Sequence, residues 1–275
     1  MSILDEVLEY AEYGQRYHNY LSITCPFHDD NRPSLIVHED YYNCLACSAK
    51  GRTETLLSKL KGEPAKPNTK EFFSNPFTKW LRNQTLAQAL KTAWQTMNEH
   101  PSFYMRDKRG IAEKTCRDLG VGMRDGWITF PIRDNCKKII GAAARADETN
   151  LTDAKYVTPS GQDGNMLYVP SWELIDKAKD IYCVFGIIDA VTLCQVGIAS
   201  FSTTGGKKVD PKALDIFRKR IIFLPDKGEE SAAMNIAKYM GWRGKMAECN
   251  WPDDSKDVND IWIKHPQLFR ASFGV

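Results

Sequence analysis

Two pairs of metal-ligating side chains near the N-terminus constrain the fold of this chain more than any other feature. The first pair is Cys25 and His28, and the second is Cys44 and Cys47, each with two residues between its members. Zn²⁺ prefers four such ligands in a tetrahedron, and a site with four protein ligands keeps no open position for a substrate. The spacing therefore predicts a structural zinc site that stabilises its own module, and any catalysis must depend on residues elsewhere.

The chain around the two pairs has the pattern of a small β-sheet with flanking helices. Strands are predicted at 20–24, 33–38 and 41–43, and helices at 3–12 and 53–60. The last two strands form a hairpin, whose exposed face is expected to present His38, Tyr41 and Tyr42. Residues 1–61 are therefore expected to form a zinc-ribbon domain.

Composition and charge exclude several classes of protein. The formal net charge is +2 over 275 residues, so a surface for nucleic acid must be local. Of the eight cysteines, the five outside the two pairs occur singly, a pattern of reduced thiols rather than of a disulfide framework. The start of the chain is acidic and amphipathic, unlike a signal peptide, and no apolar run reaches the roughly 18 residues of a membrane span. A cytoplasmic protein with no membrane partner is expected.

Prolines and asparagines interrupt the periodicity at 62–78, which predicts a linker. The segment that follows, 79–170, is locally basic, with Arg106, Lys108 and Arg109 close together in the sequence. Its pattern predicts helices at 80–98 and 113–119 and a hairpin of strands at 127–132 and 139–145.

Strands and helices alternate through the last third of the chain, residues 171–275. Strands are predicted at 181–185, 198–202, 221–225 and 245–250, and helices at 190–196, 211–219 and 231–240. Alternation with short loops predicts a parallel sheet whose ligands bind at the carboxyl ends of the strands. Asp189 and Asp226 fall at two such ends, where paired carboxylates suit Mg²⁺. Three further carboxylates are candidate outer ligands: Glu229, Glu230 and Asp257. Alternatively, these carboxylates only stabilise helix N-termini.

Motifs along the chain resemble those of bacterial and bacteriophage DNA primases, in the same order. The two zinc pairs, with Asn31-Arg32-Pro33-Ser34 between them, are similar to the zinc ribbon of that family. The middle segment resembles the basic half of the family's polymerase domain in Tyr104-x-Arg106, Arg109-Gly110-Ile111, Phe130-Pro131-Ile132, Gly141 through Arg145, Lys155-Tyr156 and Leu167-Tyr168. The last third resembles its TOPRIM fold in Gly186-x-x-Asp189, Asp226 and Lys256-Asp257-x-Asn259-Asp260. The resemblance covers almost the whole chain.

The resemblance implies an α+β protein: an N-terminal zinc ribbon, the linker, and then a primase polymerase core. That core would consist of a mixed α/β basic subdomain at 79–170 and an α/β TOPRIM subdomain at 171–275 with a mainly parallel sheet. The implied activity is the synthesis of short RNA primers on single-stranded DNA from ribonucleoside triphosphates. A P-loop motif is absent from the sequence, so a separate replicative helicase is the expected partner, and the small size resembles primases of bacteriophages or mobile elements, which work in the host cytoplasm.

The resemblance also implies roles for individual residues. Asp189 and Asp226 would bind the catalytic Mg²⁺ or Mn²⁺, while Arg145 and Lys155 would hold the template or the triphosphate. The residues expected to contact nucleic acid are Arg32, Lys50 and Arg52 on the ribbon, and Arg106, Lys108, Arg109 and Tyr156 on the basic subdomain.

Two positions depart from the family's TOPRIM pattern. Phe185 stands where the pattern has a Glu before the Gly, and Gly228 stands where it has the second Asp of Asp-x-Asp. Weaker metal binding is therefore expected, unless Glu229 or Glu230 replaces the missing oxygens. The alternatives are a non-catalytic zinc–TOPRIM protein that binds DNA as a replication accessory, and a TOPRIM nuclease.

Overall fold

The computed structural model describes residues 2–47, 49–62, 75–147, 155–204, 210–248 and 251–274. The described residues divide into two compact units, one formed by residues up to 62 and the other by residues from 75 onwards. Most of the predicted linker, residues 63–74, lies outside the described residues. Its last residues are helical, because a short helix begins at Pro76 with Asn75 as its N-cap.

The first unit is a five-stranded antiparallel sheet with a helix at each end of its sequence. Its elements are α1 (Ile3–Tyr10), β1 (Gly14–Arg16), β2 (Leu21–Ile23), β3 (Leu35–Val37), β4 (Tyr41–Cys44), β5 (Lys50–Arg52) and α2 (Thr53–Leu60), and the strands lie in sequence order. Ser2 and Asp5 form a capping box that starts α1. Leu4 and Val7 of α1 pack with Leu21 and Leu35 of the sheet in a buried core. The predicted hairpin and both predicted helices are present, and β1 and β5 complete the sheet.

The second unit begins with helices that pack on an antiparallel sheet of order β6-β7-β8-β9. Its elements are α3 (Pro76–Trp80), α4 (Leu86–Glu99), a π-helical turn (Tyr104–Lys108), α5 (Glu113–Leu119), β6 (Gly122–Arg124), β7 (Trp127–Arg133), β8 (Ile139–Ala146) and β9 (Tyr156–Val157). The prediction of one helix over 80–98 is wrong, because Thr85 and Gln88 form a capping box that starts a new helix at Leu86. Gly122 lets α4 approach β6 closely, since a Cβ there would lie 2.5 Å from backbone atoms of Ala93 and Trp94.

The second unit ends with a five-stranded sheet of order β10-β12-β11-β13-β14. Its elements are β10 (Leu167–Tyr168), α6 (Trp172–Lys177), β11 (Asp180–Val184), α7 (Ile187–Gln195), β12 (Ser200–Thr203), a 3₁₀ helix (Pro211–Ile216), β13 (Arg220–Phe223), α8 (Glu230–Tyr239), a 3₁₀ turn (Gly241–Arg243), β14 (Gly244–Met246), α9 (Val258–Lys264) and α10 (Pro266–Phe273). All neighbouring strands are parallel except β10, which is antiparallel to β12. The predicted mainly parallel sheet is therefore confirmed, whereas α9 and α10 were not predicted.

The two sheets of the second unit share one hydrophobic core. Phe130 of β7 lies edge-on to Tyr168 of β10, with ring centroids 5.8 Å apart, and the same cluster includes Val184, Ile188 and Phe269. The two halves of this unit therefore fold around common side chains. Among the described residues, no helix is long and apolar enough to cross a membrane.

Candidate zinc centre and active site

The two sequence pairs meet in the first unit. One ligand atom from each of Cys25, His28, Cys44 and Cys47 lies within 4.8 Å of the other three. The Sγ atoms of Cys25 and Cys47 are 3.7 Å apart, and Cys44 Sγ is 3.9 Å from His28 Nδ1. Ligands about 2.3 Å from a tetrahedral ion stand about 3.8 Å from one another, so these two distances fit a tetrahedral Zn²⁺ site.

Asp30 supports the zinc ligands from outside. Its Oδ2 atom accepts hydrogen bonds from the Cys25 amide at 2.8 Å and from the Ser34 hydroxyl at 2.6 Å. Its Oδ1 atom lies 3.8 Å from His28 Nε2, the ring nitrogen on the far side from the metal site. The Ser34 hydroxyl lowers the pKa of Asp30, which keeps this carboxylate ionised beside the imidazole. At this distance the contact between Asp30 and the imidazole is electrostatic rather than a hydrogen bond.

The predicted contact residues of the ribbon occupy different environments. Arg32 is exposed, and Lys50 and Arg52 are half-buried on β5. The expectation of an exposed hairpin face with three aromatic rings is wrong for two of them. His38 is buried and stacks on Tyr41, while Tyr42 is buried and stacks on Phe27. Only the half-buried Tyr41 presents part of its ring to solvent.

In the second unit, adjacent parallel strands place two of the predicted carboxylates in one cavity. Asp189 lies in the first turn of α7, which follows β11, and Asp226 follows the neighbouring strand β13. Both side chains line a cavity of about 230 Å³ at the carboxyl ends of these strands. The position agrees with the rule that ligands of parallel sheets bind at this edge.

A third carboxylate, Asp257, lines the same cavity. It caps α9 by accepting a hydrogen bond from the Asp260 amide at 2.8 Å. Burial, followed by the charges of Asp257 and Asp226, holds the pKa of Asp189 well above its usual value. Burial and the charge of Asp257 raise the pKa of Asp226 to about 6. Three carboxylates in one cavity are a donor set suited to a hard divalent cation such as Mg²⁺.

Four basic side chains also line the cavity: Arg109, Arg145, Lys155 and Lys256. We call them the basic wall, and the three carboxylates the acidic wall. Desolvation, and then repulsion by Arg145, Lys256 and Arg109, lowers the pKa of Lys155. Carboxylates facing a cluster of cations suit a substrate that brings both a metal ion and phosphate groups.

Asn259 links the acidic wall to the basic wall. Its backbone amide donates a hydrogen bond to Asp189 Oδ1 at 2.8 Å, and its side-chain Oδ1 accepts one from Arg109 Nη1 at 3.3 Å. The side-chain nitrogen donates to the Arg109 carbonyl at 2.8 Å and to the Thr192 hydroxyl at 2.9 Å. Asn259 is buried, and this one residue holds Asp189 through its backbone amide and Arg109 through its side chain.

Some of the predicted site residues lie elsewhere. Arg106 is exposed and pairs with Asp107 and Glu113, and neither Arg106 nor the exposed Lys108 lines the cavity. Tyr156 does line it, beside Arg145. The structure therefore brings together Asp189, Asp226, Arg109, Arg145, Lys155 and Tyr156 and leaves Arg106 and Lys108 outside.

The two departures from the TOPRIM pattern are both visible at the cavity. Phe185 is buried in the core and also lines the cavity. Gly228 has a backbone φ of +91°, a conformation that an Asp at this position would rarely adopt. Glu230 accepts a hydrogen bond from the Gly228 amide at 2.9 Å, and neither it nor Glu229 lines the cavity. Asp257, which the sequence offered as a candidate outer ligand, is the third carboxylate that lines the cavity.

Comparisons with known proteins agree with this arrangement. Residues 1–70 match the family model of the CHC2 zinc finger. The chain is 23% identical to a DNA primase of Clostridium acetobutylicum over 305 aligned residues, which cover 86% of this chain and 50% of that protein. It is 38% identical to a DNA primase of Staphylococcus aureus over 61 residues, 22% of this chain and 10% of that one. The chain thus spans about half the length of the first relative.

Solved structures of primases share the fold. The zinc-binding and RNA polymerase domains of the Aquifex aeolicus primase align with a TM-score of 0.52 at 15% identity, over 100% of this chain and 83% of that one. A DnaG catalytic core aligns with a TM-score of 0.54 at 16% identity, over 68% of this chain and 77% of that one.

Residues 1–70 thus match a zinc-finger family, and the chain shares its fold with the zinc-binding and RNA polymerase domains of a primase. In sequence it is similar to DNA primases, and in fold to a DnaG catalytic core.

Proposed function

We propose that this protein is a DNA primase, which synthesises short RNA primers on single-stranded DNA from ribonucleoside triphosphates. The observation that carries the proposal is the cavity of the second unit, whose lining combines three carboxylates with a group of cations. They are Asp189, Asp226 and Asp257, and Arg109, Arg145 and Lys155. Nucleotidyl transfer joins the 3′-hydroxyl of one nucleotide to the α-phosphate of the next and releases pyrophosphate. It needs few groups besides those that bind the metal and hold the phosphates in line.

The three carboxylates are proposed to hold Mg²⁺ or Mn²⁺. When bound, the ion would supply charge neutralisation at the phosphate oxygens. The backbone amide of Asn259 donates a hydrogen bond to Asp189 Oδ1, which orients this carboxylate and leaves its Oδ2 atom for the ion. Nucleotide phosphates complete the coordination shell of Mg²⁺ in many enzymes, so a cluster without acidic groups at 185 and 228 is sufficient.

The basic wall is proposed to hold the triphosphate and to keep it in line for attack. Guanidinium groups match pairs of phosphate oxygens, and Lys155 and Lys256 add compact positive charge. Tyr156, which accepts a hydrogen bond from Arg145 at 3.2 Å, positions that guanidinium. The exposed Lys108 and Arg106 are proposed to contact the backbone of the template outside the cavity.

The ribbon is proposed to contact the template through Arg32, Lys50 and Arg52. A separate replicative helicase is the proposed protein partner, in the cytoplasm where the template is copied. A second candidate function, DNA binding without synthesis, is favoured by one observation, namely that the apolar Phe185 lines the same cavity as the carboxylates.

The deciding experiment is primer synthesis by the purified protein on single-stranded DNA with labelled ribonucleotides, in Mg²⁺ and then in Mn²⁺. Short labelled products that disappear in an Asp189→Ala, Asp226→Ala double variant are expected. The matched control is Asp118→Asn, which changes one exposed carboxylate of α5 and should leave synthesis intact. Firm DNA binding with no product in either metal, on templates of varied sequence, would leave only the binding function.

A further inference from the structure

Two arginines of the cavity share one aromatic ring. The guanidinium carbon of Arg109 lies 5.0 Å from the centroid of the Tyr104 ring, and that of Arg145 lies 5.1 Å from the same centroid. Arg145 also lies 5.3 Å from the centroid of Tyr156. These four side chains form one contiguous group, which we call the arginine–tyrosine cluster. The negative faces of the rings offset the repulsion between two cations that would otherwise separate.

The hydroxyl of Tyr104 adds a directional contact to this cluster. It accepts a hydrogen bond from Arg109 Nε at 2.7 Å, while Arg109 Nη1 donates to Asn259 at 3.3 Å. Two donors of Arg109 are thus held by neutral groups from two different elements. A guanidinium is planar, so fixing two of its nitrogens also fixes the direction in which the remaining donors point.

Arg145 carries a donor for which the described part of the chain supplies no acceptor. Its Nε atom is buried without a hydrogen-bond partner, and the whole residue is only 9% exposed. Arg145 also lines the cavity. A buried, unpaired donor on a charged group costs free energy that an anionic ligand recovers on binding.

We propose that Tyr104 is a positioning residue for the binding of a triphosphate. The Tyr104 ring holds two guanidinium groups in the cavity, and the Tyr104 hydroxyl orients that of Arg109. This inference rests on the proposed function and goes beyond it, because Tyr104 itself does not line the cavity. Groups that are oriented before the ligand arrives lose less entropy when it binds. Loss of the hydroxyl therefore weakens phosphate binding without removing any phosphate contact.

The test compares two buried tyrosines of the second unit. Tyr104→Phe removes the hydroxyl that holds Arg109 and keeps the ring. Tyr168→Phe is the matched control, because the buried Tyr168 hydroxyl has no hydrogen-bond partner within the described residues. Binding of ATP and of inorganic tripolyphosphate is measured by calorimetry with Ca²⁺ present, and the Tm of each variant is recorded.

Tyr104→Phe is expected to raise the Kd for both probes about tenfold, the typical effect of losing a hydrogen bond to a charged group. Its Tm should stay close to that of Tyr168→Phe, whose Kd should equal the wild-type value. Tyr104→Leu, which also loses the ring, should weaken binding further. In steady-state synthesis, Tyr104→Phe should raise the KM for nucleotide more than it lowers kcat.

Equal Kd values for Tyr104→Phe and the wild type would overturn the inference, as would a wild type that binds neither probe. Failure of the proposed function gives a different result. A wild type that makes no primers, but whose ATP affinity falls in Tyr104→Phe and not in Tyr168→Phe, would leave the positioning role standing and remove the primase activity.

Discussion

The carboxylate of Asp189 occupies the space next to Gly186 that a Cβ atom at position 186 would need. A Cβ on Gly186 would be 2.0 Å from Asp189 Oδ2, far closer than two such atoms approach. Gly186 is the N-cap of α7, so the first turn of the helix folds Asp189 back over its own start. The glycine is therefore part of the acidic site, although it has no side chain.

Gly186→Ala is expected to displace the Asp189 carboxylate and to reduce primer synthesis by at least about tenfold, with a stability loss of about 1–3 kcal/mol. Gly164→Ala is the matched control, because a Cβ there meets nothing within 4 Å. Primer yield and urea midpoints of both variants check the prediction. Normal synthesis by Gly186→Ala would show that Asp189 does not need its present position.

Asp257→Asn separates the charge of this residue from its role as a helix cap. Asn caps a helix as well as Asp does, so α9 should stay intact and the Tm should not fall. Loss of the third carboxylate should reduce metal-dependent synthesis by about a hundredfold or more. Because the Asp257 charge helps to raise the pKa of Asp226, that pKa should fall below its value of about 6. Carboxyl-carbon NMR measures the shift.

A fully active Asp257→Asn variant would mean that Asp257 only caps α9. The Asp118→Asn variant again controls for the loss of one carboxylate, since Asp118 is exposed and paired with Lys114.

Chelation of zinc should unfold the first unit and leave the second folded. Three thiols, those of Cys25, Cys44 and Cys47, should become reactive towards a thiol reagent. Buried Cys116 and Cys183 should stay unreactive, because burial raises their pKa values, that of Cys116 to about 12. All seven tryptophans follow residue 74, so tryptophan emission should not change.

The thiol experiment is cleanest in a Cys136→Ser background, which removes an exposed thiol of the second unit. An increase of fewer than three reactive thiols on chelation would contradict the ligand set. A change in tryptophan emission would contradict the independence of the second unit.

The ion pair that joins the starts of two parallel strands should make stability depend on pH. Asp180 of β11 and Arg220 of β13 are register partners, and the hydrogen bonds from Arg220 lower the pKa of Asp180. A carboxyl whose pKa is lowered by folding stabilises the protein above its unfolded pKa and loses that effect as the pH falls. The wild type should therefore be more stable than Asp180→Asn near neutral pH, by less than about 1 kcal/mol. This difference in the free energy of unfolding should vanish in acid. Urea midpoints at each pH measure it, and a difference that grows in acid would refute it.

The sequence by itself determined the features that depend on local spacing. The zinc ligands could be predicted because each pair closes around the metal from one short turn. Helix Thr53–Leu60 could be predicted from its apolar spacing, and helix Glu113–Leu119 from the glycine that follows it. The parallel sheet followed from the alternation of strands and helices, and its strand ends then placed Asp189 and Asp226 near each other.

The tertiary structure decided which of the remaining polar side chains line the cavity. Arg106 and Arg109 lie three positions apart in one basic segment, and only Arg109 reaches the cavity, where it meets Asn259 from 150 positions further along the chain. Asp257 also reaches the cavity through the tertiary fold, because it is the N-cap of α9, a helix that the periodicity did not predict. Such contacts depend on how the two sheets pack around their shared core. A periodic pattern records which face of an element is apolar, but not which distant side chain lies opposite it.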